Sequence, residues 1–364
     1  MTIAEVVQYL ETIAPPSLQE SYDNAGLITG NAQSPCTGII ISLDATEAVV
    51  QEAIEKKCNL VVAHHPIVFG GLKKITGRNY VERTIITAIK NDIAIYAIHT
   101  NLDNVLEGVN GKIADKLGLI NRRVLAPKKD QLKKLFTFVP AAHAEKVRSA
   151  IFAAGGGQIS NYSECSFNTN GSGTFKAGAG TDPFVGNIGE RHTEEETRIE
   201  VIFPAWLEKP VLNAMTAAHP YEEVAYDIIP LDNTSKNVGS GLVGDLPAPV
   251  EEKEFLQNLK THFNLSVLRH TALTGKPVKK VALCGGAGSF LTGAAIASGA
   301  GFYISADIKY HEFFDANGRL VIADIGHYES EQFTIDLLFE VLSEKFLNFA
   351  VLKTSLNTNP VQYF

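Results

Sequence analysis

Histidine and carboxylate side chains recur in this chain just after short apolar runs that read as β-strands. His64 and His65 follow the run Asn59–Ala63, Asp103 lies shortly after Ile93–Ile98, and His327 follows Leu320–Ile325. Glu331 stands four residues beyond His327, and i, i+4 residues share a helix face. Imidazole with carboxylate suits Zn²⁺, Fe²⁺, Mn²⁺ or Ni²⁺, and the lack of cysteine in the set argues against a closed structural zinc site. Successive side chains on an extended backbone point apart, so His64 and His65 serve two neighbouring ions more readily than one. Two ions about 3.5–4 Å apart can hold a hydroxide between them and clamp a scissile group. Each feature also has an ordinary explanation. A His-His pair can be incidental, His327 with Glu331 can be a surface helix pair, and Asp103 can cap a following helix. Their joint position after strand ends is what favours a site.

The elements that would carry these residues alternate. Residues 3–13 have apolar positions at helical spacing, and Pro15-Pro16 stop that helix. Gly38–Leu43, Asn59–Ala63 and Ile93–Ile98 are continuous apolar runs separated by helical stretches ending near Lys57 and covering 80–91. The last third repeats the texture with Lys280–Cys284, Phe302–Ser305 and Leu320–Ile325, the last leading into a long helix from His327 to about Lys345. Such runs indicate an α/β fold with a mostly parallel sheet covered on both faces, and open sheets of this kind bind ligands at the carboxyl ends of their strands. The middle differs: strand, helix, glycine-rich hairpin, strand, helix and extended segment, the β-α-β-β-α-β order of a ferredoxin-like unit. The expected organisation is a discontinuous α/β domain in two halves, 1–126 and 234–364, with an inserted α+β domain at 127–233.

Composition sets limits. The chain has 364 residues, 45% hydrophobic and 20% charged, with a formal net charge of −8. That length allows two or three domains with a sizeable core, and the acidity argues against direct binding to nucleic acid or anionic membrane. The cluster Lys128, Lys129, Lys133 and Lys134 reads as a solvated face. No apolar run has transmembrane length, the N-terminus lacks signal-peptide character, and the scattered cysteines Cys36, Cys58, Cys165 and Cys284 read as reduced thiols. A cytoplasmic protein is expected.

The motifs Tyr22-Asp23-Asn24-Ala25-Gly26-Leu27, His64-His65-Pro66, His99-Thr100-Asn101-Leu102-Asp103 and Gly326-His327 with Glu331 resemble the NGG-interacting factor three-like family. These are dinuclear-metal hexameric proteins often labelled homologues of a type 2 GTP cyclohydrolase I. Gly285–Gly288 and the segment from Ser305-Ala306-Asp307 to Tyr310-His311 share the likeness. Within the insert, Asn161–Phe167 and His219-Pro220-Tyr221-Glu222-Glu223 resemble the longer members, which carry a domain similar to PII and divalent-cation-tolerance proteins. The resemblance implies two divalent metal ions per chain (Zn, Fe or Mn) held by His64, His65, Asp103, His327 and Glu331. It places His65 and Asp103 on one ion, His64 and His327 on the other, and Glu331 between them. It also implies a toroidal homohexamer whose metal sites face an internal cavity.

Two functions are compatible with these features. One is a metal-dependent hydrolase acting on a small phosphate-bearing or nucleotide-like substrate, with Glu331 bridging the ions and His311 as proton shuttle or substrate contact. The other is a non-catalytic metal-binding or regulatory oligomer with a ligand-sensing PII-like insert. Around the proposed ligands, Lys309 is a candidate anion contact and His99 a hydrogen-bonding buttress. Asp44 is read chiefly as a helix cap. Gly285–Ser289 lacks the ending of a P-loop and is read as a tight turn. The insert's His219–Glu223 segment is either a second ligand site or a helix-terminal turn at a trimer interface.

Overall fold

Apolar side chains at every position of a short run need both faces of a sheet covered, and this requirement fixes the architecture around the metal-ligand candidates. The computed structural model describes residues 1–364, which divide into one unit of 1–127 with 237–364 and another of 128–236. The first stretch of the larger unit supplies strands β1 (Gly26–Thr29), β2 (Ile39–Asp44), β3 (Leu60–His65), β4 (Ala94–Ala97) and β5 (Ile120–Pro127). The smaller unit contains β6 (Leu132–Pro140), β7 (Phe167–Lys176), β8 (Arg191–Pro204) and β9 (Tyr226–Pro230). The chain returns to the larger unit with β10 (Gly239–Val250), β11 (Arg269–His270), β12 (Val278–Ala287), β13 (Phe302–Ala306), β14 (Val321–Asp324) and β15 (Val351–Lys353).

The larger unit is mixed α/β with two sheets, not one mostly parallel sheet. The first has the order β1-β4-β3-β2-β15, with β15, β2, β3 and β4 parallel and β1 antiparallel at the edge. The second has the order β11-β14-β13-β12-β10-β5; only β12, β13 and β14 run parallel, and β5, β10 and β11 pair antiparallel. The expectation of a mostly parallel sheet fails here because β5 and β10 lack continuous β-branched runs. Their sequences carry Asn121-Arg122-Arg123 and the glycines Gly239, Gly241 and Gly244.

Period-two alternation sorts the side chains. Ile39, Ile41, Leu60, Val62, Ala94 and Tyr96 enter one core, while Ile40, Val61, Ala63 and Ile95 enter another on the far side of the first sheet. In the second sheet, Leu283, Phe302, Ile304 and Val321 join the same shared core, and Ala282, Tyr303 and Ile322 face outward into a third. Helices Ile3–Ile13, Val109–Lys116, Glu252–His262 and Thr334–Lys345 contribute to the shared core between the sheets. The first of these begins with a capping box between Thr2 and Glu5 and buries Ile3, Val6 and Leu10 on one stripe. The long helix expected from His327 is interrupted: His327–Glu331 and Thr334–Lys345 are separate helices, with the Gln332 amide donating to the Glu329 carbonyl at the break.

The smaller unit has its own antiparallel sheet, order β7-β8-β6-β9. Helices Ala144–Ala153 and Glu208–Ala218 cover one face, burying Leu135, Val139, Ile199, Val201 and Phe203 against Val147, Ile151, Val211 and Met215.

Candidate metal centre

The carboxyl ends of the parallel strands in both sheets of the larger unit converge on one group of side chains. β3 ends in His64 and His65, and the loop after β4 becomes the short helix Thr100–Asp103. From the second sheet, β12 ends in the glycine run, β13 is followed by Asp307, and β14 leads through Gly326 (φ +90°) to His327 and Glu331. A left-handed turn at Gly326 starts this helix where a side chain at φ > 0 would be strained.

Glu331 is central. Its Oε2 lies 2.9 Å from His65 Nε2 and 3.1 Å from His327 Nε2, while Oε1 lies 3.9 Å from His64 Nε2. His64 Nε2 is 3.6 Å from Asp103 Oδ1. The donor atoms thus form two sets that share Glu331, one with His64 and Asp103 and one with His65 and His327. A third set joins His64 and His65 to His99; the family resemblance implies a different sharing of the ligands, His65 with Asp103 and His64 with His327. The two sets that share Glu331 follow from backbone geometry: His64 points to the side where the short helix carries Asp103, and His65 to the side where His327 arrives.

Each histidine is fixed through its other ring nitrogen. His64 Nδ1 is 2.8 Å from the Ile98 carbonyl oxygen, His65 Nδ1 is 2.8 Å from Asp44 Oδ1, and His327 Nδ1 is 2.7 Å from Asp307 Oδ2. Such partners orient the ring and leave Nε2 to face the centre. Asp44 therefore holds His65 and does not cap the next helix; Thr46 makes that cap by accepting from the Val49 N–H. Asp23 accepts from the Thr100 backbone and hydroxyl and pairs with His99 Nδ1 at 2.8 Å. His99 is thereby a buttress whose ring stands edge-on to both His64 and His65. Asn110 links Asp103 to the glycine run, donating to the Asp103 carbonyl and accepting from the Gly285 N–H. Gly286 has φ +61°, and a Cβ there would lie 2.3 Å from Glu331 Oε1. The glycine run is therefore not the tight turn expected from the sequence but the irregular end of β12, with small residues where a carboxylate occupies the adjacent space.

Burial and charge set the protonation states. Burial holds His64 neutral, down to about 3, despite the nearby Glu331 charge. Burial also lowers His65 and His327, but bonds to Asp44, Asp307 and Glu331 outweigh it and raise them to about 9 and about 11. Burial works against ionising Glu331, yet bonds from His327 and His65 keep it well below the carboxylate range. Burial and Glu331 push Asp103 up. The surroundings thus favour the anionic form of Glu331 and the protonated forms of His65 and His327. Divalent ions can replace those protons, and such a site releases protons when it takes up metal. The residues fit that role by a direct observation: His64 Nε2 and Asp103 Oδ1 are buried with no hydrogen-bond partner. Unsatisfied buried polar atoms of this kind are costly.

A cavity of about 980 Å³ opens onto His65, His99, Asp103, His327 and Glu331. Tyr22, Phe69, Tyr80 and Phe290 stand on its walls, which contain no lysine or arginine. His311 and Lys309 do not line it. His311 is exposed in the 3-10 turn Tyr310–Ala316 with its ring against Tyr310 and Phe314, so the structure does not bring it to the cluster. In the insert, His219 uses both ring nitrogens on backbone groups, the Phe138 carbonyl and the Tyr221 N–H, which leaves neither for a metal. The roles of Asp307, Asn110 and Ser330, whose hydroxyl accepts from the Gly286 N–H, were not read from the sequence. Asp307 carried a signal, since like Asp44 it is an aspartate at a strand's carboxyl end.

The fold and site together define a mixed α/β protein with His/carboxylate groups able to hold metal at the meeting point of two sheets. The Duf34/NIF3 (NGG1p interacting factor 3) model matches residues 1–360, and the chain belongs to that family. A Bacillus subtilis relative is 38% identical over 99% of this chain and 98% of its own, and a Staphylococcus epidermidis relative is 33% identical over the full length of both. Both are named GTP cyclohydrolase 1 type 2 homolog. Among solved structures, a Bacillus cereus protein related to NIF3 is 38% identical with a TM-score of 0.88, covering 100% of this chain and 99% of its own. A Staphylococcus aureus protein of 28% identity has a TM-score of 0.78 with the same coverage.

Proposed function

We propose that the protein binds two divalent ions per chain through His64, His65, Asp103, His327 and Glu331 and uses them to hydrolyse a small phosphate-bearing or nucleotide-like substrate. The observation that carries this reading is the buried, partnerless pair His64 Nε2 and Asp103 Oδ1 facing a shared Glu331. Two ions at such a site, when bound, supply an activated water and polarise the scissile group. The chain's own residues do the rest. Asp44 and Asp307 orient the imidazoles, Glu331 presents one oxygen to each set, and the aromatic walls admit a planar group. With no lysine or arginine on those walls, the only cations a phosphate in this cavity would meet are the cluster's own histidines and the ions they hold. A monoester or diester anion therefore fits better than a polyphosphate.

The homohexamer and a PII-like character of the insert belong to this reading through the family and the β-α-β-β-α-β topology. A cytoplasmic location belongs to it too, and four unpaired cysteines support that choice. No helix is long and apolar enough to cross a membrane.

A suitable assay uses p-nitrophenyl phosphate and its bis-ester with Zn²⁺, Mn²⁺ or Fe²⁺. Metal-dependent turnover is expected, with a loss of at least about 100-fold in Glu331→Gln. Full activity of that variant at saturating metal would contradict the hydrolase reading. A non-catalytic regulatory oligomer is the second reading, favoured by the separate hydrophobic core of the insert. Chelation that unfolds the protein, with no turnover of any ester, would support it, because structural metal sites are closed and coupled to folding.

A further inference from the structure

The sheet of the smaller unit has a second face. With Thr197, Ile199 and Val201 directed at the helices, Glu196 and Arg198 on β8 project to the opposite side, and Phe138 on β6 does the same. The segment between β7 and β8 folds over this face, and together with Tyr221 it encloses a cavity of about 600 Å³. That size is within the range of small-molecule sites.

Four aromatic rings, Phe138, Phe175, Phe184 and Tyr221, stand on the walls with the Glu196 carboxylate among them. The Tyr221 ring lies between Phe175 and Phe184, with centroids 6.2 Å from each. The Tyr221 hydroxyl donates to Glu196 Oε1 at 2.9 Å. Burial and that carboxylate push the Tyr221 hydroxyl up, so it stays a donor. The other oxygen, Oε2, sits over Gly173, where a Cβ would lie only 2.1 Å away. A glycine at that position leaves room for the carboxylate. Glu196 makes no ion pair, because the neighbouring Arg198 guanidinium is committed to Glu200 at 3.2 Å and lies over the Phe136 ring at 4.5 Å. Lys176 is exposed on the wall, and Glu222 and Glu223 add negative charge there.

We infer that this cavity is a binding site for a small organic cation, an amine or quaternary ammonium head seated among Phe175, Phe184 and Tyr221 against Glu196. Aromatic faces attract cations through their quadrupole, and a half-buried carboxylate without a counter-ion gains most from a ligand that brings one. The site is separate from the metal cluster and does not depend on the hydrolase reading.

Calorimetric titration of the full-length protein with choline and with its neutral isostere 3,3-dimethylbutan-1-ol tests the inference. Choline is expected to bind about tenfold more tightly than the alcohol. Glu196→Gln is expected to erase that preference while the alcohol still binds, and Glu196→Asp to keep it, so that loss of charge is separated from loss of fold. Phe184→Ala, on the exposed covering segment, is expected to weaken choline without altering metal content. Equal affinity for the two ligands, no choline binding at millimolar concentration, or a preference that survives Glu196→Gln would overturn the inference. A change of oligomeric size in Phe184→Ala with choline binding unaltered would do the same, since it would mean that a second copy of the chain covers this face.

Discussion

Asp44 and Asp307 occupy equivalent places, each at the carboxyl end of a parallel strand and each bonded to the Nδ1 of a histidine in the cluster. Their work is to hold a ring so that Nε2 faces Glu331 and the rest of the cluster. Asp44→Asn and Asp307→Asn are each expected to weaken metal affinity by about 10–100-fold with the fold intact, measured by chelator competition and circular dichroism. Unchanged affinity in both would remove them from the site. Gly286→Ala tests the space next to Glu331. A left-handed φ and a Cβ at 2.3 Å from Oε1 should cost about 1–3 kcal/mol in thermal or denaturant unfolding and displace the Glu331 carboxylate. The five metal-ligand candidates were legible in the sequence because their types and strand-end positions are local facts. Their grouping into two sets was not, because it depends on which way two consecutive side chains turn at the end of β3. His311 shows the limit in the other direction: its place just after a strand suggested the site, but the turn Tyr310–Ala316 carries it to the surface.

At the level of elements, continuous apolar runs identified β2, β3, β4, β12, β13 and β14, the strands whose ends carry the site. What stayed hidden were β5 and β10, whose pairing makes the second sheet largely antiparallel, since their glycines and charged residues have no strand pattern of their own. The terminal segment after β15 was also unread. It is tied to the helix Glu47–Glu55 through Glu52, which accepts from Lys56, the Thr354 hydroxyl and the Ser355 backbone and hydroxyl. Burial opposes ionisation of Glu52, yet these donors lower it to about 2. A depressed folded-state value contributes stability that is full above the unfolded carboxylate range, about 4.3, and is lost as pH falls towards 2. Glu52→Gln is expected to lower stability at neutral pH by about 1–3 kcal/mol and to flatten the decline between pH values of about 5 and 2, read by urea unfolding. An unchanged acid limb would contradict the assignment.

For the molecule as a whole, the insert interrupts a β-hairpin. β5 and β10 are antiparallel neighbours with Pro127 opposite Gly239, and the three cores of the larger unit contain no residue from 128–236. Replacing 128–236 by a short Asn-Gly turn is therefore expected to leave a folded unit with full metal content. Loss of metal on excision, with the fold retained, would show that the cluster needs the insert. The sequence disclosed a change of texture in the middle of the chain. It could not disclose this adjacency of the flanking strands, which only pairing across more than 100 residues creates.

The central claim rests on the shared carboxylate and the two imidazole sets, and metal stoichiometry addresses it most directly. Elemental analysis of the purified protein beside His64→Ala should find about two first-row divalent ions per chain in the native protein, as two adjoining ligand sets require, and fewer in the variant. No bound metal in the native protein after incubation with Zn²⁺, Fe²⁺ or Mn²⁺ would contradict the ligand assignment and the hydrolase proposal with it.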